Sequence, residues 1–184
     1  MFDIQDYLRC MNIEMCKSYE LRLELTVTHK IDETCIIDAS LIYKDGNKYS
    51  HLMCLKFMIT KTKIQLSSIH NPVYTKMDAL RGGGHSLLYF SLQEMLEREM
   101  IKETDIIYVD VYEKERLRET KENETQSKLI SYYESFGFQS FGPVNDYIAM
   151  DVPIPMWSKV DKIITRCKKD IFKFTKFSVK FEED

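Results

Sequence analysis

The sequence predicts an α/β domain of the α+β kind: a mostly antiparallel sheet flanked by helices, followed by a C-terminal extension. Three observations lead there. Apolar residues recur with period two through Leu21, Leu23, Leu25 and Val27, the pattern of a half-buried strand. Two further strand-like runs are separated by Asp45-Gly46, a hairpin signal because the turn needs positive φ. Beyond residue 87 the period lengthens to that of a helix, and helical and strand-like segments then alternate. With 184 residues, 44% of them hydrophobic and 30% charged, the chain is sized and composed for one globular domain with a core of its own.

Each element follows from its local pattern. Residues 2–18 space Ile4, Tyr7, Leu8, Met11 and Met15 as a helix does. The strand around Leu23 follows, then a β-branched run at 35–43, the turn at 44–48 and a return strand at 49–60. A polar turn at 61–63 leads to another strand, Ile64–His70, so the first half is an antiparallel meander. Residues 71–80 read as a loop opened by Asn71-Pro72. An amphipathic helix then spans 87–102, with Leu88, Leu92, Met95 and Leu96 on its apolar side. Residues 106–112 are short, apolar and β-branched, as a central buried strand should be. Residues 113–125 are charged or polar, a solvated loop or the frayed start of a helix covering 126–136 and stopped by Gly137. Two last strands are predicted at 138–141 and 147–152, joined by a turn at 142–146. The lysine- and phenylalanine-rich tail reads either as a helix plus an edge strand or as a partner-binding or poorly ordered extension. Domain boundaries are accordingly set at 1–156 and 157–184.

Half of the six glycines lie together in Arg81-Gly82-Gly83-Gly84-His85-Ser86, directly before the amphipathic helix. Without Cβ atoms the backbone turns sharply there and its N–H groups converge. The helix adds unpaired N–H groups and the positive end of its dipole. The combination is suited to phosphate or pyrophosphate. No Gly-Lys-Ser/Thr follows, which argues against a nucleoside triphosphatase loop.

Composition narrows the partners. A net charge of -3 supplies no basic field for nucleic acid. Five scattered cysteines without Cys-x-x-Cys spacing argue for reduced thiols in an intracellular, cytoplasmic protein, and against a disulfide framework or a metal site. No secretory leader and no membrane-spanning apolar run are apparent.

The order meander, strand, glycine loop, helix, strand, helix, strand-strand resembles the GNAT superfamily of N-acetyltransferases across roughly residues 35–152. Two motifs strengthen the likeness. The family's Arg/Gln-Gly-x-Gly-x-Gly/Ala loop is matched by Arg81, Gly82, Gly84 and Ser86, with serine at the last small position. Its Tyr-Glu-x-x-Gly-Phe helix ending is matched by Tyr133-Glu134-Ser135-Phe136-Gly137-Phe138. The resemblance implies a mixed sheet and acetyl-coenzyme A as cosubstrate, with its pyrophosphate on Arg81, Gly82, Gly83, Gly84, His85 and Ser86. It implies pantetheine in a gap between Ile64–His70 and the strand near 106–112, and direct acetyl transfer to an amine. Tyr133 corresponds to the residue that protonates the departing thiolate; His70 or Glu113 is the candidate base.

Two features depart from the family pattern. The 71–80 loop is long, and the helices that normally separate the first two strands, and build much of the acceptor pocket, are missing. A binding module of the same fold without turnover is therefore the alternative, and a second chain completing the site, as in a homodimer, is the associated expectation.

Overall fold

The structure, a computed structural model, describes residues 20–30, 33–45, 48–70, 82–111, 122–171 and 176–183. The predicted N-terminal helix at 2–18, Arg81 and Glu113 lie outside these. The described residues form an α+β fold with one mixed eight-stranded sheet and four α-helices. The strands are β1 (Glu20–His29), β2 (Cys35–Asp45), β3 (Lys48–Ile59), β4 (Ile64–His70), β5 (Ile106–Val111), β6 (Gln139–Ser140), β7 (Ile154–Lys159) and β8 (Lys176–Glu183). The helices are α1 (Gly83–Glu97), α2 (Glu122–Ser135), α3 (Val144–Ala149) and α4 (Val160–Cys167), and a 3₁₀ turn occupies Lys168–Asp170.

Strand order across the sheet is β6-β7-β5-β4-β3-β2-β1-β8. Neighbours are antiparallel except β4 with β5 and β1 with β8, which are parallel. Each parallel pair requires a crossover. The two crossovers run in opposite senses, both along the strands and across the sheet. A right-handed connection therefore places both on one face, and α4 indeed packs against α1.

That face is the core. Leu21, Leu23, Leu25 and Val27 alternate inward as their spacing predicts, each no more than 1% exposed. Their partners Ile37, Ala39 and Leu41 on β2, then Leu55 and Phe57 on β3, continue the layer to Leu87, Leu88, Leu92 and Met95 of α1. The opposite face carries polar pairs, among them Lys56 with Asp38 at 3.1 Å and Arg22 with Glu24 at 2.7 Å.

Three predicted elements need correction. First, α1 begins within the glycine run, at Gly83, rather than at 87. It stops at Glu97 because Glu99 takes positive φ (58°) and the Met100 N–H returns to the Met95 carbonyl. This is a Schellman-type ending without a glycine.

Second, the strand predicted at 147–152 falls instead on the end of helix α3 and the turn that follows it. Pro143 caps the start of α3 and Asp146 lies in its first turn. Third, the last strand before α4 is β7, at Ile154–Lys159. Its Pro155 disguises it, because proline donates nothing to a ladder. The two-residue β6 pairs only with Met156 and Trp157, and the next contact, from the Phe141 N–H to the Pro155 carbonyl at 3.2 Å, asks proline to accept rather than donate.

The tail forms α4, the 3₁₀ turn and β8, which pairs with β1 from Glu20↔Lys176 to Val27↔Glu183. Phe177 stacks on Phe90 of α1 at 4.3 Å, and the Arg98 guanidinium sits 3.6 Å from the Phe181 ring centroid. The 156/157 boundary falls inside β7.

Candidate functional site

The start of α1 lies at the end of the sheet where β4 and β5 terminate, because the chain leaves β4, enters α1 and returns to the base of β5. Gly82 is the N-cap with φ 96° and ψ −22°, a left-handed conformation that glycine adopts without a steric penalty. The first helical bond runs from the Ser86 N–H to the Gly82 carbonyl at 2.8 Å. The N–H groups of Gly83, Gly84 and His85 precede it in the first turn and have no intrahelical acceptor. Gly82, at the N-cap, has no side chain with which to cap them. They point along the helix axis together, which is the arrangement that holds an anion.

Gly84 has a second role. A Cβ built on it would overlap the Tyr132 hydroxyl oxygen and lie 3.1 Å from Phe136 Cζ and 3.4 Å from Ile69 Cδ1. Its bare Cα is therefore where α1, α2 and β4 meet. Tyr132 and Phe136 are four residues apart and so share the α2 stripe that faces α1. The sequence-predicted residues His70 and Tyr133 each adjoin a residue in this contact, namely Ile69 and Tyr132.

His85 is turned toward the end of α2. Its ring lies 4.6 Å from that of Phe136, and Nε2 is 3.3 Å from Ser135 Oγ. That hydroxyl donates its single proton to the Tyr132 carbonyl at 2.6 Å. The hydrogen bond to His85 must then come from an Nε2–H, which fixes the tautomer. Burial holds the imidazole pKa below its ordinary value, opposed by nearby Asp170 and a hydrogen bond to the Ser135 main chain, and assisted by Arg166. His85 is thus a neutral packing histidine whose main-chain N–H, rather than its ring, belongs to the cradle.

Tyr133 lies in the last turn of α2 and is 7% exposed. The rings of Tyr132, Phe136 and Phe138 surround it with centroids 5.8, 6.2 and 5.9 Å away. Burial pushes its phenol up to about 12 and moves Tyr132 further still in the same direction. Both phenols keep their protons throughout the physiological range. Gly137 ends the helix with φ 97°, as its sequence position predicts.

The third component is a gap. β4 and β5 pair only at Ile64↔Ile107 and Gln65↔Tyr108, although β4 runs on to His70 and β5 to Val111. A register shift between Lys56↔Ser68 and Phe57↔Leu66 leaves Ser67 as the extra residue of a bulge in β4. A bulge bends the strand that carries it, and the ladder with β5 ends two residues before this one. Beyond Gln65, the β4 backbone edge facing β5 has no ladder partner among the described residues. Gln65 Nε2 donates to Asp110 Oδ2 at 2.9 Å across the opening.

His70 terminates β4 opposite Cys54. Sequence reasoning missed Tyr132 and Ile69. Tyr132 was readable as the i−4 neighbour of Phe136, whereas Ile69 depended on the β4 bulge, which no local pattern announces. Among the described residues there is no cluster of His, Cys, Asp and Glu able to hold a metal ion, and no helix long and apolar enough to cross a membrane. Cys35, Cys54 and Cys167 are free thiols. No protein-family model matches the chain, and no curated protein matches it in sequence.

Proposed function

We propose that the chain is an N-acetyltransferase of the GNAT type, transferring acetyl from acetyl-coenzyme A directly to an amine. The observation that carries this reading is the parallel β4–β5 pair, joined at its base and open toward the glycine-headed α1. That is the feature the resemblance anticipates for the pantetheine arm. The first-turn N–H groups of Gly83, Gly84 and His85 would receive the pyrophosphate. The arm would enter the gap and complete the unpaired β4 edge with hydrogen bonds. A β4 N–H near the Ser67 bulge is suited to polarise the thioester carbonyl as its oxygen gains charge.

An amine, once deprotonated, attacks that carbonyl carbon; the C–S bond breaks and the electron pair leaves on sulfur. Tyr133 is the donor to that sulfur. A phenol near 12 holds its proton, and transfer to a thiolate of ordinary pKa, about 8.5, runs uphill. Its contribution is therefore a hydrogen bond to the developing thiolate, with the proton finally supplied by solvent or by the acceptor's ammonium. His70, the last residue of β4, and Glu113 are the proposed bases.

The ring cage around Tyr133 supports a second reading, a coenzyme-binding module without turnover, in which this tyrosine only packs. Thermal unfolding with acetyl-coenzyme A tests the shared premise: saturable stabilisation is expected, and none at millimolar ligand would end both readings. Gly84 is a poor place to disrupt the cradle, since any side chain there displaces Tyr132. Gly83→Asp is the better probe. An acidic residue in the first turn suits the helix dipole but repels a diphosphate, so folding measured by circular dichroism should persist while stabilisation by coenzyme disappears. Thiol release across a panel of amines, slowed by Tyr133→Phe, separates the enzyme from the module.

A further inference from the structure

We propose that the chain forms a two-fold symmetric dimer through the outer edge of β8, which lies antiparallel to its copy with Val179 on the axis. The inference is independent of any acetyl-transfer activity. It begins with the unequal ends of the sheet. At one end β6 is two residues long, a common way of blunting an edge. At the other end β8 runs for eight residues, Lys176–Glu183, with continuous register against β1 and neither proline nor bulge. Its second edge has no strand partner among the described residues. A long, regular edge of this kind is a template for another strand.

The segment Lys-Phe-Ser-Val-Lys-Phe-Glu, residues 176–182, is complementary to itself when reversed about Val179. Lys176 then faces the partner's Glu182, Phe177 faces the partner's Phe181, Ser178 faces the partner's Lys180, and Val179 faces the partner's Val179. Directly opposed residues lie on the same side of an antiparallel pair. The apolar trio therefore continues the layer of Leu21, Leu23 and Leu25, its neighbours on β1. Opposite charges meet on the other side. A one-residue slip would set Phe177 against Glu182 and Val179 against Lys180, so the register is specified. Lysines on an edge ordinarily discourage pairing, yet in this register neither meets another lysine.

Two structural details agree. Val179 is 39% exposed, an apolar side chain on a strand edge with little of its own chain over it. Phe177 and Phe181 are already held, by Phe90 and by Arg98, so presenting them to a copy loses little side-chain freedom. Each copy offers the same patch to the other, as closed two-fold association requires.

Sedimentation velocity of the full chain over a concentration series is the first test; a reversible dimer is expected. Val179→Lys places two ammonium groups beside each other on the axis and should weaken association by at least tenfold while leaving the circular dichroism spectrum unchanged. Val179→Cys should give a disulfide-linked dimer on mild oxidation, because only the residue on the axis faces itself. Lys180→Cys and the unaltered chain should give little or none. A monomer at every concentration, or a dimer indifferent to Val179→Lys that links equally through either cysteine, would overturn the proposal.

Discussion

The β1–β3 meander and the β4–β5 pair are made from similar strands and behave oppositely. β1 and β2 pair without interruption from Glu20↔Lys44 to His29↔Cys35, and β3 continues the ladder with a single register shift near Leu41. β4 and β5 hold together for two residue pairs and then part. The side chains do not account for the contrast, since Leu66 on one strand and Val109 and Val111 on the other are as buried as the meander core. The connection does. Hairpins let each meander strand register directly on its neighbour, whereas β4 and β5 are set by α1 packed between them in sequence. The Ser67 bulge then interrupts the regular course of β4 just past the last pair with β5. Helix packing positions the gap, and the hydrogen-bonded ladder only anchors its base.

If so, damage in the two regions should differ in kind. The largest effect belongs to the meander: Phe57, fully buried on β3, changed to alanine should cost about 3–5 kcal/mol in denaturant unfolding. Coenzyme affinity of the molecules that remain folded should be unaltered. Next comes the joint between α1, α2 and β4. Gly84→Ala should destabilise by roughly 2 kcal/mol through overpacking against Tyr132. Adding Tyr132→Phe removes the oxygen in the way and should recover part of the loss. Simple addition of the two single effects would show that this contact is not the reason for glycine.

A smaller effect depends on pH. Tyr133→Phe should cost about 1 kcal/mol or less at neutrality. The phenol ionises near 10 when unfolded and at about 12 when folded, so the unfolded state releases its proton first. Stability from this group is complete below pH 10 and lost as pH rises toward 12. The phenylalanine variant should accordingly lose less stability on that alkaline limb than the parent does. Smallest is Gln65→Ala, which deletes the exposed bond to Asp110 and should change stability by no more than about 1 kcal/mol. A measurable change in coenzyme affinity with unchanged stability would assign that bond to the mouth of the gap.

Much of this architecture is legible locally. The inward set Leu21, Leu23, Leu25 and Val27, the limits of Ile64–His70 and the glycine stop at residue 137 follow from period and turn chemistry alone. What escaped had non-local causes. Pro155 argues against a strand unless the chain just past β6 is known to draw only on its carbonyl, and that is a property of the neighbour. Apolar periodicity starts α1 only at 87, and three glycines before it are poor helix formers. Gly83 and Gly84 are nevertheless helical, since residues in the first turn receive no bond from their own N–H groups, and Gly84 gains a close contact. For the candidate site, motif spacing points to the glycine turn and to Tyr133. Tyr132, one residue earlier, rests on the glycine, and only its i−4 spacing from Phe136 hints at that.

The missing methyl at residue 84 has a mechanical consequence. With the Tyr132 hydroxyl seated against the α1 backbone at Gly84, a shift of the first turn of α1 would be felt at Tyr132. An anion drawing the first turn of α1 toward itself would pull on Tyr132 and, through the adjoining peptide, on Tyr133. Tyrosine emission should then report occupancy of a pocket in which neither ring need touch the phosphate.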